Sequence, residues 1–159
     1  MTIIAIDDAM THLKAEAEDR ALVESKLAAA EESAMQYLQR RFYADQTALG
    51  QAKEIIEQQL QANRENYQRA VNAANQLANK DDQQLALQYA TEVFNESRTA
   101  VDAVARGIVI NPAIKAACLL ILGQLYENRG DLVDSQVDIS NLPYGSKSLL
   151  IPYRIKMGV

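Results

Sequence analysis

The sequence has little of what breaks a helix. Three prolines, Pro112, Pro143 and Pro152, occur in 159 residues, and the first 111 residues have none. Six glycines are present, with none between Gly50 and Gly107. Proline and glycine are the residues a helix interior tolerates least, so that stretch lacks both usual interruptions. A β-sandwich or barrel needs a turn signal at roughly ten-residue intervals, and these signals are missing. The composition therefore predicts an all-α protein, a helical bundle.

Other shortages exclude chemistry. One cysteine, Cys118, cannot make an internal disulfide, which suits a reducing compartment. One histidine, His12, has no cysteine or serine motif beside it and reads as a surface or half-buried residue. No Cys-x-x-Cys or His-x-x-x-His pair offers a metal site. Asp131, Asp134 and Asp138 crowd one stretch without the spacing or the glycine of a calcium loop. Gly130 and Gly145 are isolated, so no phosphate-cradling loop is expected. The paired acids Glu31-Glu32 and Asp81-Asp82 read as solvated helix faces or caps. Neither an enzyme nor a cofactor is expected.

No apolar run approaches the roughly 20 residues that cross a bilayer, and the opening segment lacks the basic flank of an export signal, so no membrane partner is expected. Sixteen basic and 21 acidic residues give a formal charge of −5, which disfavours a protein that grips nucleic acid by neutralising phosphates. The charge is uneven. Residues 1–35 hold eight acids and three bases, whereas 141–159 hold Lys147, Arg154 and Lys156 and no acid, a tail suited to an acidic surface.

What is present is a row of helical patterns. A short helix is predicted from Asp7 to about Lys14, with Asp7 or Asp8 as its cap. A second runs from about Ala17 to Arg40 with Ala21, Leu22, Leu27, Ala30, Ala34 and Leu38 as its apolar stripe. From Asp45 to about Gly107 the chain turns rich in Gln and Asn. An apolar heptad survives there in Ile56, Leu60, Tyr67, Ala70, Ala74 and Leu77, and again in Leu87, Ala90, Phe94, Val101 and Val104. Two helices with one seam each are predicted, joined at Asn79-Lys80-Asp81-Asp82. Folding back would set Leu77 opposite Leu87, Ala74 opposite Ala90, Ala70 opposite Phe94 and Tyr67 opposite Ser97, so that large residues meet small ones.

A helix from Gln46 to Ala78 would be about 50 Å long, against about 40 Å for the width of a compact domain of this length. The expectation is one domain, 1–159, in which 45–106 is an inserted, projecting antiparallel helical hairpin and 141–159 a C-terminal docking tail. Asn111-Pro112 starts a further helix, apolar nearly all round and the candidate core helix, which ends near Tyr126-Glu127-Asn128-Arg129-Gly130. Pro143 can open a short helix that Pro152 must close or kink.

The run from Asn111-Pro112 through Tyr126-Glu127-Asn128-Arg129, followed by Leu142-Pro143-Tyr144-Gly145 and Leu149-Leu150-Ile151-Pro152-Tyr153-Arg154, resembles the head–tail connector family of long-tailed double-stranded DNA phages. In that family an apolar helix ending in Tyr-Glu-Asn-Arg precedes a Leu-Pro-x-Gly segment and a terminal Leu-Leu-x-Pro-Tyr-Arg. This chain departs from the pattern at Gly130-Asp131, at Ser146, and in the length of the region 45–106.

The resemblance implies a structural protein of the virion neck, assembled in the host cytoplasm. Such a protein forms a homo-oligomeric ring, expected to be a dodecamer, on the portal protein, joins it to the next tail-completion or stopper protein, and lets double-stranded DNA pass without sequence-specific binding. Leu142, Pro143, Tyr144, Leu149, Leu150, Pro152, Tyr153 and Arg154 would then form the portal or subunit interface. Asn111, Pro112, Tyr126, Glu127, Asn128 and Arg129 would be the structural motif of the core helix. The alternative from the residues themselves is a helical scaffold or regulatory module, DNA-associated in one version, that acts through its coiled-coil hairpin.

Overall fold

The computed structural model describes residues 2–128 and 142–155. Among them the fold is all-α, with helices joined by short turns and one two-stranded sheet. The chain divides into two compact units, 1–46 with 108–159, and 47–107.

In the first unit, α1 (Ile6–Leu13) starts one residue before Asp7 and has no side-chain cap. Asp7 and Asp8 lie instead in its first turn, where carboxylates complement the helix dipole. They also pair outward, Asp7 with Arg20 at 2.8 Å and Asp8 with Lys115 at 2.6 Å. A single 3-10 turn, Ala17–Asp19, leads into α2 (Arg20–Leu38). Its buried face is Val23, Leu27, Ala30, Glu31, Ala34 and Leu38, so the expected stripe holds except at its start, where Ala21 is exposed.

Both α1 and α2 end on a residue in left-handed backbone, Lys14 at φ 52° and Gln39 at φ 56°. A glycine usually takes that position, because a side chain there crowds the backbone. No glycine marked either end, and α2 was expected to run to Arg40.

After α2 a two-residue strand, β1 (Phe42–Tyr43), pairs in parallel with β2 (Ile108–Val109). The Ile108 N–H donates to Arg41 O and the Ile110 N–H to Tyr43 O, both at 2.9 Å. Parallel strands need a long crossover between them, and the whole excursion from 44 to 107 serves as one. Next, α6 (Pro112–Glu127) opens as expected. The Asn111 side chain accepts from the Ile114 N–H at 2.9 Å, and Pro112 occupies the first turn.

Ile114, Ala117, Cys118, Ile121 and Leu122 of α6 are buried against α2. Leu120, however, is 42% exposed, so this helix is not apolar-buried all round. The tail forms α7 (Tyr144–Leu150), with Pro143 at its cap position, and a 3-10 turn, Ile151–Tyr153, that contains Pro152.

The second unit holds α3 (Gln46–Glu54), α4 (Ile56–Ala74) and α5 (Lys80–Ala105). The single helix expected from Gln46 to Ala78 is broken at Ile55 and stops at Ala74. No proline or glycine marks the break. Ile55 itself stays in right-handed backbone, at φ −89° and ψ −3°, and its carbonyl accepts from the Gln59 N–H at 3.0 Å. The expected joint is present, with the Asn79 side chain accepting from the Asp81 N–H at 2.9 Å to start α5.

Helices α4 and α5 pack as an antiparallel pair with Ala74, Ala90 and Val101 buried. Ala74 and Ala90, expected opposite each other, are both buried, and the Tyr67 ring meets the Phe94 ring, centroids 4.9 Å apart and planes tilted by 37°. Leu77 follows the end of α4 and is 45% exposed. A tilted aromatic pair is worth about 1 kcal/mol beyond its buried area.

Candidate docking surface

The core of the first unit decides which tail residues are free. Leu150 is fully buried within the cluster built from α1, α2 and α6, with Leu142, Leu149 and Tyr153 half-buried against it. Ser146 is also fully buried and donates from Oγ to Pro143 O at 2.8 Å, which closes the first turn of α7.

The outward residues are different ones. Tyr144 is 89% and Ile151 57% exposed, and Ser148, Pro152 and Arg154 are exposed too. Tyr144, Ser148 and Ile151 stand at i, i+4 and i+7, on one face of the helix and its following turn. Leu120 of α6 borders the face, its Cδ1 lying 3.6 Å from where a side chain at Gly145 would begin.

Of the eight residues expected at an interface, the structure thus commits Leu150 to the interior and leaves Tyr144, Pro152 and Arg154 outward. Leu142, Pro143, Leu149 and Tyr153 are half-buried. Two exposed apolar residues of this surface, Ile151 and Leu120, were not among those eight. The seven-residue interval from Tyr144 would have pointed to Ile151. For Leu120 no sequence signal separates it from its buried neighbours.

Among the described residues, Arg154 and Ile155 both contact the end of α2. The Arg154 guanidinium lies 4.8 Å from the centre of the Tyr37 ring, an arrangement worth about 0.5–1 kcal/mol at an exposed site. The Ile155 N–H donates to Leu38 O at 3.4 Å.

The other motif residues serve the end of α6. Tyr126 Oη donates to Asp19 Oδ2 at 2.6 Å, and Lys26 Nζ donates to Leu125 O, so the start of α2 grips the last turn of α6 from two positions. Asn128 folds its amide back onto Gln124 O at 3.0 Å, and Glu127 is exposed. Arg129, like Gly130, Asp131, Asp134 and Asp138, lies outside the described residues.

His12 is exposed on α1. Cys118 is buried, and that burial, aided by the Glu31 carboxylate, pushes its thiol up to about 12. A thiol held protonated at neutral pH is a poor nucleophile. Among the described residues no cluster of three metal-ligating side chains forms. Among them, too, no helix is long and apolar enough to cross a membrane.

Glu31 overturns one expectation. Its place beside Glu32 predicts a solvated face, yet it is only 3% exposed. Its Oε1 accepts from the Ile4 N–H at 2.7 Å and both its oxygens accept from the Ile3 N–H at 3.0 Å. The carboxylate supplies partners for N-terminal amides that lie outside any helix or sheet. Its neighbour Glu32 is bound to Arg41 at 3.2 Å on the surface.

No protein-family model, no curated protein and no solved structure matches this chain. What the fold itself defines is a class, an all-α helical protein.

Proposed function

We propose that the chain is a virion structural protein, a head–tail connector that assembles as a ring on the portal protein and joins it to the next tail-completion or stopper protein. The observation that carries the reading is the C-terminal surface. The segment with the connector-like motifs keeps Tyr144 and Ile151 exposed on one face while Leu150 anchors the same short helix in the core. Exposed aromatic and aliphatic residues on a rigid backbone lose little entropy on docking, which suits a contact surface.

The basic residues Lys147 and Arg154, with no acid among residues 141–159, suit an acidic partner. A net charge of −5 suits a conduit through which DNA slides without being held. In this reading the protein is not an enzyme and resides in the virion neck after assembly in the host cytoplasm.

The test is to mix the purified chain with the portal protein of its own virion and image the product by negative stain. A ring capping the portal channel, lost with Tyr144→Glu and Ile151→Glu together, supports the connector. A chain lacking 142–159 that still caps portals rejects the docking role of the tail.

A second reading, a scaffold or regulatory module, draws on the hairpin, where Leu85 and Tyr89 are 67% and 68% exposed. It predicts no portal binding and a small assembly held through α4 and α5.

A further inference from the structure

The hairpin of α4 and α5 carries a groove of about 420 Å³ between its helices. Its lining is mostly small or apolar: Ala70 and Ala73 from α4, Leu77 just after it, and Ala86, Tyr89 and Val93 from α5, over a floor that includes the Tyr67–Phe94 pair. Beside it runs a ridge of large side chains on α5. Leu85, Tyr89 and Val93 stand at i, i+4 and i+8 and are 67%, 68% and 42% exposed. One hairpin thus presents both a valley of alanines and a row of large residues able to fill one.

The charges flanking the groove differ: α5 carries Glu92 and Glu96, and α4 carries Arg69 with Glu65 one turn before it. On α4, Arg69 stands three residues after Asn66 and four before Ala73, both of which line the groove. On α5, Glu92 and Glu96 stand three residues after Tyr89 and Val93. Three- and four-residue spacing places these charges beside the lining residues, on its two rims. Arg69, Glu92 and Glu96 are exposed, and none of them forms an ion pair within the hairpin. Arg69 is held only by the neighbouring Asn66 side chain, and Glu92 by Gln88.

The Tyr67 and Phe94 rings are in contact, so the two residues lie within about one helical turn of each other along the hairpin. In an antiparallel pair, two residues on from Tyr67 and two residues back from Phe94 keep that offset, so Arg69 and Glu92 also lie within about a turn of each other in height. Any rotation about an axis parallel to the hairpin preserves height. Such a rotation brings the α5 edge of one copy, acidic and ridged, beside the α4 edge of the next, alanine-lined and carrying Arg69.

From this we infer that the occupant of the groove is a second copy of this chain. The α5 ridge of one hairpin seats against the α4 side of the next, and Arg69 pairs with Glu92 across the contact. A twofold rotation closes this as a four-helix dimer and a smaller rotation closes it as a larger ring, since both are cyclic repeats of one interface. The inference stands on the hairpin surface alone and does not depend on the connector reading.

Light scattering of the full-length chain over a wide concentration range, with no partner present, tests it. The expected result is a mass of two or more copies, with association weakened about tenfold or more by Tyr89→Glu. Arg69→Glu and Glu92→Arg should each weaken it, and the two together should restore it. Circular dichroism on the same exposed-site variants checks that the helices remain.

A chain that is monomeric at every concentration overturns the inference, as does an assembly that Tyr89→Glu leaves unchanged or a charge reversal without rescue. A chain that self-associates in this way yet ignores the portal rejects the connector and keeps the hairpin contact.

Discussion

The Ile4 N–H donates to Glu31 Oε1 at 2.7 Å inside the core, which makes a buried carboxylate the anchor of the N-terminal segment. A hydrogen bond to a charged acceptor is worth about 1.5–3 kcal/mol, and an abandoned buried donor costs a similar amount. Glu31→Ala should therefore lower the stability of the first unit by about 2–4 kcal/mol, and Glu31→Gln by less, because an amide oxygen can still accept. Urea unfolding checks the size of the effect. Hydrogen exchange at Ile3 and Ile4 checks its location, since those two amides should lose protection first.

Cys118 carries a pH signature. Its folded-state value, about 12, lies above the usual thiol value of 9.0. The group's contribution is fully present below about pH 9 and is lost as pH rises toward 12, because the unfolded chain then ionises more readily. The slope approaches about 1.4 kcal/mol per pH unit in that window. The alkaline loss of stability should be smaller in Cys118→Ala than in the parent chain. In the folded protein at neutral pH a thiol reagent should label Cys118 only at the rate of unfolding.

The two left-handed helix ends are strained positions that a better residue would relieve. Lys14 and Gln39 are exposed and at positive φ, and a side chain there costs about 1 kcal/mol relative to glycine. Lys14→Gly and Gln39→Gly should each raise stability by about 0.5–1 kcal/mol, read as an upward shift in thermal midpoint. A loss of stability would show that the side chain makes up the cost elsewhere.

Surface and anchor of the tail should separate cleanly. Leu150→Ala empties a fully buried site and should cost about 2–5 kcal/mol. Tyr144→Ala and Ile151→Ser change exposed positions and should stay within about 0.5 kcal/mol of the parent. Thermal unfolding measures both, and it shows which variants are fit for a binding assay.

In the hairpin, the Tyr67–Phe94 pair should show a coupling of about 0.5–1.5 kcal/mol in a double-mutant cycle of the two alanine variants. The expected layer, Tyr67 against Ser97, predicts coupling there instead.

The helical class, the cap at Asn111, the joint at Asn79 and the stripe on α2 were legible because each rests on local chemistry: periodicity, a side-chain acceptor, the absence of breakers. The α2 end at Gln39 was not, since its cap uses a residue that carries no left-handed signal. Nor was the break at Ile55. The burial of Glu31 is not legible because helix position alone does not reveal that the N-terminal segment comes to lie against it.

For the candidate surface, the motif marked the segment but gave no inside or outside. Leu149, Leu150 and Ile151 are adjacent aliphatics with three different fates, and only the packing of α7 on α6 assigns them.

The parallel pair Phe42–Tyr43 with Ile108–Val109 has a consequence for how such a chain can change. Strands in register lie about 5 Å apart, so the point where the chain leaves the first unit and the point where it returns are neighbours. Everything between them is a cassette. A flexible linker of a dozen or more residues could replace it, or a hairpin of another length or another surface could be spliced in, with the bundle untouched. Selection could then alter what the hairpin touches without reopening how the bundle folds.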